Sequence, residues 1–374
     1  MNDAITDTSG KARQGEELEL DRLGAWLRSL WGEAAVRDLS AEQFPSGHSN
    51  LTYLLRVTGE AGDTRELVLR RPPFGNKVKT AHDMGREHRL LSALHNVSSA
   101  QQGIAAPYFE KAPKPVAFTE DEAILGAPFY LMERISGIIL RRKTPAGLAL
   151  EPATLSTLAD RFIDTLVELH ELPYEQIGLA SFGKPDGYVE RQVSGWAKRY
   201  EGAKTDEIPE IERVAAWLSA NQPKTYGASL IHNDFKYDNL VLDPGDITRI
   251  VGVLDWEMST LGDPMMDLAT ALAYWIQEDD PAPLQTYTFG PTNRAGSPTR
   301  AAMLEAYAKR RPGTVPDDMR FYNAFALFKN AVVAQQIYAR WKRGATTDPR
   351  FEMMIYAVRM LGDTAENVIA TGKL

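Results

Sequence analysis

Residues 229–257 confine the fold more tightly than any other stretch of the chain. Three short apolar runs, Leu230-Ile231, Leu240-Val241-Leu242 and Ile250 through Leu254, are separated by two dense polar clusters. The first cluster is His232-Asn233-Asp234-Phe235-Lys236-Tyr237-Asp238-Asn239 and the second is Asp255-Trp256-Glu257. Such short apolar runs are too brief for buried helices and read as small strands, so the polar clusters fall in tight loops at strand ends. The surroundings are helical in pattern: 152–171, 187–201 and 207–220 before the insert, and 263–276, 298–310, 319–343 and 347–369 after it.

The first third of the chain reads differently. Leu20, Leu23, Leu27 and Leu30, with Trp26, mark an amphipathic helix over 17–31, while the polar residues 1–16 are expected to be disordered. A turn-rich loop from Phe44 to Asn50 leads into a strand at 51–57, a turn at 59–63 and a returning strand at 66–71 closed by Pro72-Pro73. A helix over about 80–95 and strands at 115–118 and 129–135 complete a small sheet with one helix. At 374 residues two lobes are the natural expectation. The fold class predicted is therefore α+β, with an antiparallel β-sheet lobe over 1–134 and a larger, mainly helical lobe over 135–374.

Composition narrows the function. A net charge of −8 argues against a general nucleic-acid binder. The absence of cysteine removes disulfides, thiolate metal sites and cysteine nucleophiles. The polar N-terminus lacks the apolar core of a signal peptide, and no run approaches a membrane span. A cytoplasmic protein without membrane or nucleic-acid partners is the expectation; oligomeric state is not legible.

The chemistry lies in the insert. His232, Asp234 and Asn239 form the pattern His-x-Asp-x4-Asn, and sixteen residues after Asn239 an Asp ends an apolar strand at Asp255. A chance His-x-Asp-x4-Asn arises in on the order of one chain in a hundred of this length, and the added Asp makes it rarer. The spacing suits phosphoryl transfer, which needs a positioned hydroxyl and neutralised phosphate charge. Asp234 can accept the hydroxyl proton, Asn239 and Asp255 can offer hard oxygen ligands to Mg²⁺, and Lys236 is placed to reach a terminal phosphate oxygen.

These residues resemble the protein-kinase-like superfamily and, within it, the aminoglycoside phosphotransferase family. The resemblance runs from about residue 40 to 345. It implies Asp234 as catalytic base, Asn239 and Asp255 as metal ligands, and ATP with Mg²⁺ as nucleotide and ion. His232 would hold the loop's shape. The stretch Gly262-Asp263-Pro264-Met265-Met266-Asp267-Leu268-Ala269 matches a family motif, with Asp263 a helix N-cap, Pro264 at the first helical position and Asp267 a structural brace. Phe129 through Arg134, with Gly137, is similar to the hinge that meets adenine, which places Glu133 and Ile135 at the nucleotide. Arg86-Glu87-His88-Arg89 looks like the helix that donates an ion-pairing Glu, here Glu87. The phosphate-covering loop, Ser46-Gly47-His48-Ser49-Asn50, lacks the three glycines of protein kinases, and Arg70 stands where a Lys would meet the phosphates. Arg is not a neutral replacement there. Glu190 through Val193 leading to Trp196, and Phe325 through Lys329 to Gly344, are similar to the kinase-like domains fused to acyl-CoA dehydrogenases in animals and to their bacterial stand-alone relatives.

Blander readings stand beside these. The loop residues could be a turn with ordinary caps, Lys236 a solvated lysine, Glu257 either a second metal contact or a plain carboxylate, and Arg70–Glu87 a surface pair of little energetic value. His82, His88 and His95 lack the carboxylate partners of a metal site. Arg191, Trp196 and Arg199 are candidate substrate contacts, or a solvated basic helix face. A basic-aromatic stretch suits a neutral or anionic metabolite, such as a hydroxyacyl compound or its CoA thioester, better than a polycationic aminoglycoside. The rival functions are a catalytically silent nucleotide-binding module, an aminoglycoside 3'-phosphotransferase, and a metal-dependent hydrolase.

Overall fold

The computed structural model describes residues 9–45, 50–74, 83–97, 108–145, 147–282, 284–346 and 348–374. Five strands, β1 (Asp38–Gln43), β2 (Leu51–Thr58), β3 (Thr64–Arg71), β4 (Pro115–Thr119) and β5 (Phe129–Glu133), form one antiparallel sheet in the order β1-β2-β3-β5-β4. Three helices accompany it: α1 (Leu20–Trp31), α2 (Met84–Leu94) and the short α3 (Glu122–Leu125). The polar strand β1 is an addition to the predicted set; its DLSAEQ sequence carries no apolar alternation because it is a mostly exposed edge.

Alternation along β3 and β5 decides what each face does. Leu67, Leu69, Phe129 and Leu131 turn to one side, where they bury against Leu23 and Leu27 of α1 and Ile124 and Leu125 of α3. Val68, Tyr130 and Met132 turn to the other, where they join Met84, Leu90, Leu91 and Leu94 of α2 in a core that continues into the second lobe. Arg70 shares the parity of Val68, so it must face the space between the lobes. Leu30 of α1 lies at the surface instead of in the predicted apolar stripe. Residues 9–16 depart from the expected disorder: Gly10 pairs with Gln43 through bonds of 2.9 and 2.7 Å, and the Tyr53 hydroxyl donates to the Glu16 carbonyl at 2.6 Å.

The second lobe holds α4 (Pro152–His170), α5 (Tyr188–Ala203), α6 (Pro209–Ala220), α7 (Pro264–Ala273), α8 (Arg300–Arg310), α9 (Arg320–Lys342) and α10 (Met354–Thr371). Its insert comprises two antiparallel pairs: β6 (Ser229–Ile231) with β9 (Thr260–Gly262), and β7 (Leu240–Leu242) with β8 (Ile250–Val253). The chain leaves β5 and docks on the insert where Ile138 and Leu242 exchange backbone bonds of 2.9 and 2.8 Å. Gly137 makes that approach feasible, because a Cβ there would lie 2.3 Å from the Leu242 carbonyl oxygen. Among the described residues no helix is long and apolar enough to cross a membrane.

Candidate active site

The loop between β6 and β7 is anchored by what it buries. His232, Phe235 and Tyr237 are sealed in the core. Phe162 of α4 meets Phe235 and Tyr237 edge-on at 4.7 and 5.3 Å, and His232 meets Trp256 at 5.1 Å. Burying each such ring contributes roughly 1.5–3 kcal/mol, so the loop is pinned at three points. The residues between them, Asn233, Asp234, Lys236 and Asn239, are left to line the interlobe cleft.

Backbone geometry at the loop is held from below. Asn233 adopts a left-handed φ of 66°, which costs a non-glycine residue roughly 1–2 kcal/mol. The Asp267 carboxylate offsets this by accepting the backbone N–H groups of His232 and Asn233, each at 2.7 Å. Asp267 is itself oriented by His170 Nε2 at 3.1 Å, whose Nδ1 meets the Tyr307 hydroxyl at 2.8 Å. Burial works to raise the Asp267 carboxyl, but the His170 contact and the donated N–H hold it below the usual carboxylate range. Burial also lowers His232. Its neutral ring fits its partners, with Nε2 donating to the Leu254 carbonyl at 3.0 Å and Nδ1 accepting from the Asp234 N–H at 3.3 Å.

Asp234 stands at the centre. Lys236 Nζ donates to its two oxygens at 3.0 and 2.9 Å, and Asn239 Nδ2 donates to Oδ2 and to the backbone carbonyl, both at 2.9 Å. Burial would raise this carboxyl, but the Lys236 ammonium outweighs it and keeps Asp234 ionised. Tyr274 and Phe289 flank that ammonium at 4.9 and 5.0 Å from their ring centres. The Asn239 carbonyl accepts from the Leu254 N–H at 2.8 Å, which sets Asp255, at a left-handed φ of 67°, beside Asn239.

Across the cleft, Arg70 joins Glu87 at 2.6 Å, Asp255 at 3.2 Å and Glu257 at 3.3 Å. Burial disfavours its charge, yet the surrounding carboxylates, Glu87 first, hold it well above the ordinary guanidinium range. The pair with Glu87 is thus buried, unlike the surface pair considered as its alternative. Asn50, read from the sequence as part of a phosphate-covering loop, donates to Glu257 at 2.7 Å and so joins the same cluster. Ser46 and Gly47 lie outside the described residues, as does His82. His88 stacks on Phe118 and His95 bonds the Ala112 carbonyl, so these two form no metal cluster.

Asn50, Arg70, Glu87, Asp234, Lys236, Asn239, Asp255 and Glu257 border one cleft of about 790 Å³. Val68, Leu91, Met132, Val241 and Leu254 give it an apolar slot beside Glu133 and Ile135. The Ile135 N–H makes no hydrogen bond within the described residues. Trp196 lines the opposite end, with Arg199 stacked over its ring at 4.5 Å; Arg191 lies beyond, donating to the Asp186 and Lys184 carbonyls.

Two participants were not singled out from sequence. Glu257 was weighed and left open; its position two residues past Asp255 was the available signal. Lys329, on α9, donates to the Asn233 carbonyl at 2.8 Å, and the clue is a lone cation within the apolar stretch Phe325-Ala326-Leu327-Phe328.

The donor set fits Mg²⁺. The Asn239 amide oxygen and Asp255 Oδ2 have no hydrogen-bond partner among the described residues. No cluster of three or more His, Asp or Glu suited to a metal occurs among the described residues. Mg²⁺ needs none, since it takes one or two protein oxygens and completes its shell with phosphate and water.

Comparison with known proteins gives a consistent picture. The model of the phosphotransferase enzyme family matches residues 40–306. Acyl-CoA dehydrogenase family member 10 of Mus musculus is 35% identical over 321 residues, 86% of this chain and 28% of that protein. Family member 11 of Homo sapiens is 31% identical over 349 residues, 91% of this chain and 42% of that protein. The chain therefore spans less than half the length of these curated relatives. Among solved structures, a proposed aminoglycoside phosphotransferase from Ralstonia eutropha JMP134 superposes with a TM-score of 0.75 at 27% identity, covering 96% of this chain and all of that one. A choline kinase from Cryptosporidium parvum Iowa II shares the fold at a TM-score of 0.59 and 13% identity, covering 95% of this chain and 99% of that one. With its kinase-like two-lobed fold and a family match across most of its length, the chain belongs to the phosphotransferase enzyme family.

Proposed function

We propose that this protein transfers the γ-phosphate of ATP to a hydroxyl group of a small metabolite. The observation that carries the reading is the convergence of Asp234, Asn239, Asp255 and the buried Arg70–Glu87 pair on one cleft. Asp234 is ionised and accepts from Lys236 and Asn239. With Tyr274 also bonded to it, its roughly four lone-pair sites are engaged, so an incoming hydroxyl takes the place of one of the two Lys236 contacts and presents its proton there. As the hydroxyl oxygen bonds to phosphorus, that proton passes to Asp234 and ADP carries away the electron pair of the broken bond. Lys236 offsets charge on the transferring group. Asn239 and Asp255 would hold Mg²⁺, which supplies neutralisation of the phosphate oxygens when bound. Arg70, fixed by Glu87, grips the remaining phosphates through its planar fork. Glu133 and Ile135 face the adenine edge, and Ser46, Gly47 and Asn50 belong to the loop over the phosphates.

The acceptor side is apolar and cationic, with Leu327, Val333, Ile337, Met354 and Met360 continuing the cleft beyond Lys329. That lining suits a hydroxylated aliphatic compound, such as a hydroxyacyl species or its CoA thioester, better than a polycation. The relatives named as acyl-CoA dehydrogenases point the same way.

General-base loss costs about 10²–10⁴ in rate. Asp234→Asn is therefore expected to lower kcat by about that factor while retaining ATP binding; an unchanged rate removes Asp234 from the base role. Turnover of a hydroxyacyl-CoA panel against an aminoglycoside panel tests the acceptor class, and exclusive aminoglycoside turnover defeats it.

A further inference from the structure

Beside the main cleft lies a second, open pocket of about 380 Å³, bordered by α2, α5, α9, the segment after β8 and the loop after β6. It shares Trp196, Asn233, Glu257, Met258 and Lys329 with the main cleft but is bordered by none of Arg70, Asn239, Asp255 or the hinge. It therefore opens beside Asn233, apart from Asn239, Asp255 and the hinge, and meets the Arg70 cluster only through Glu257.

Its lining is strongly cationic. Arg86, Lys184, Arg191, Arg199 and Lys329 all border it, and the one carboxylate there, Glu257, is engaged by Asn50 and Arg70. None of the five cations has a carboxylate within ion-pair distance among the described residues. Neutral groups position them instead. Arg86 donates to the Ser259 carbonyl at 2.7 Å and stacks on Phe182, while Arg191 donates to two backbone carbonyls. Arg199 stacks on Trp196, and Lys329 donates to the Asn233 carbonyl.

In a chain of net charge −8, five cations without a direct ion pair among the described residues concentrate positive charge around one pocket. Lys329 is the inner member, only 4% exposed, and spends one of its three donors on protein. Asp234 and Asp267 act on this buried ammonium only from beyond ion-pair distance, and an anionic ligand would bring it a counter-charge in direct contact.

We propose that this cavity is an acceptor subsite for a multiply charged anionic group of the phosphate or diphosphate class, with Lys329 and Arg199 as its principal contacts. Five cations exceed what a single carboxylate would match, and this sets the class. The subsite rests on the phosphotransferase reading for its role, but its occupancy is measurable without turnover. The acceptor hydroxyl then sits at Asp234 while the anionic handle lies across Asn233.

The test is calorimetric titration of inorganic pyrophosphate into the full chain saturated with Mg²⁺ and a non-hydrolysable ATP analogue. Binding is expected to persist with the nucleotide site filled and to weaken at least tenfold in Arg199→Met and Lys329→Met, with analogue affinity unchanged. Arg199 is exposed on α5, so its variant reads the subsite independently of any change in stability at the buried Lys329. Pyrophosphate binding abolished by the analogue, or equal in wild type and Arg199→Met, overturns the subsite. Binding of tricarballylate without pyrophosphate overturns the phosphate class. Failure of the analogue itself to bind counts against the phosphotransferase reading and leaves the pyrophosphate result to be read alone.

Discussion

The ammonium of Lys329 is 4% exposed, on a helix that is apolar on either side of it. Burial lowers its pKa to about 8 from 10.5, against the pull of Asp234 and Asp267 and with the push of Lys236 and Arg199. The folded value lies below the unfolded one. Below pH 8 the native state therefore carries the whole cost of a buried charge, and stability rises as pH climbs from 8 toward 10.5. At 1.36 kcal/mol per unit that cost is on the order of 3 kcal/mol, of which the bond to Asn233 returns about 1 in the neutral form. Lys329→Met is accordingly expected to stabilise the protein by about 2 kcal/mol at pH 7 and to lose that advantage by pH 10. Urea denaturation at the two pH values checks it; a variant less stable than wild type at pH 7 would show that the lysine is kept for the fold.

The loop from 232 to 239 and the helix α7 behave as one unit. Asp263 caps that helix by accepting the Met265 N–H at 2.9 Å, with Pro264 at its first position, and Asp267 one turn on receives two loop N–H groups. Replacing Asp267 by Asn turns an amide NH₂ toward a site that offers only donors. We expect Asp267→Asn to destabilise by about 2–4 kcal/mol, the cost of a broken buried charged network, and to lower kcat more than it raises the KM for ATP. Unchanged stability and kcat would detach the brace from the loop. Much of this unit was legible beforehand, because His232, Asp234, Asn239, Asp255 and the Gly262–Ala269 stretch lie close in sequence and carry their spacing openly. Most of the long helices were equally readable from their apolar period, whereas α9 is buried nearly all round and shows its length more than a period. Strands β1 and β9 were not: one is a polar edge and the other, Thr260-Leu261-Gly262, has a single large apolar side chain and so shows no apolar run to detect. Lys329 escaped for another reason. Its partner is a backbone carbonyl 96 residues away, and only the folded chain brings the two together.

At the scale of the molecule, the cleft is a seam between lobes whose cores are unequally joined. Val68, Tyr130 and Met132 tie one sheet face into the large core, whereas the other face packs into a separate cluster, mainly against α1 and α3. Charged side chains also bridge the seam, since Arg70 of the sheet reaches Asp255 and Glu257 of the second lobe. A nucleotide lying between β3, the hinge and β8 touches both lobes at once, so its binding energy adds to the stability of the whole chain and not of one half. For a ligand at one hundred times its Kd this amounts to about 2.7 kcal/mol. Mg·ATP should therefore raise a single cooperative melting transition, and ATP without Mg²⁺ should raise it less. Asp255→Asn removes the one negative charge of the proposed Mg²⁺ ligand pair and weakens the ion pair with Arg70. In that variant the Mg²⁺-dependent part of the shift should shrink toward the shift seen with ATP alone. Differential scanning calorimetry of both proteins with and without Mg²⁺ decides the matter. An undiminished Mg²⁺ increment in Asp255→Asn would move the ion elsewhere in the cleft, and two separate transitions would mean that the nucleotide acts on one lobe only.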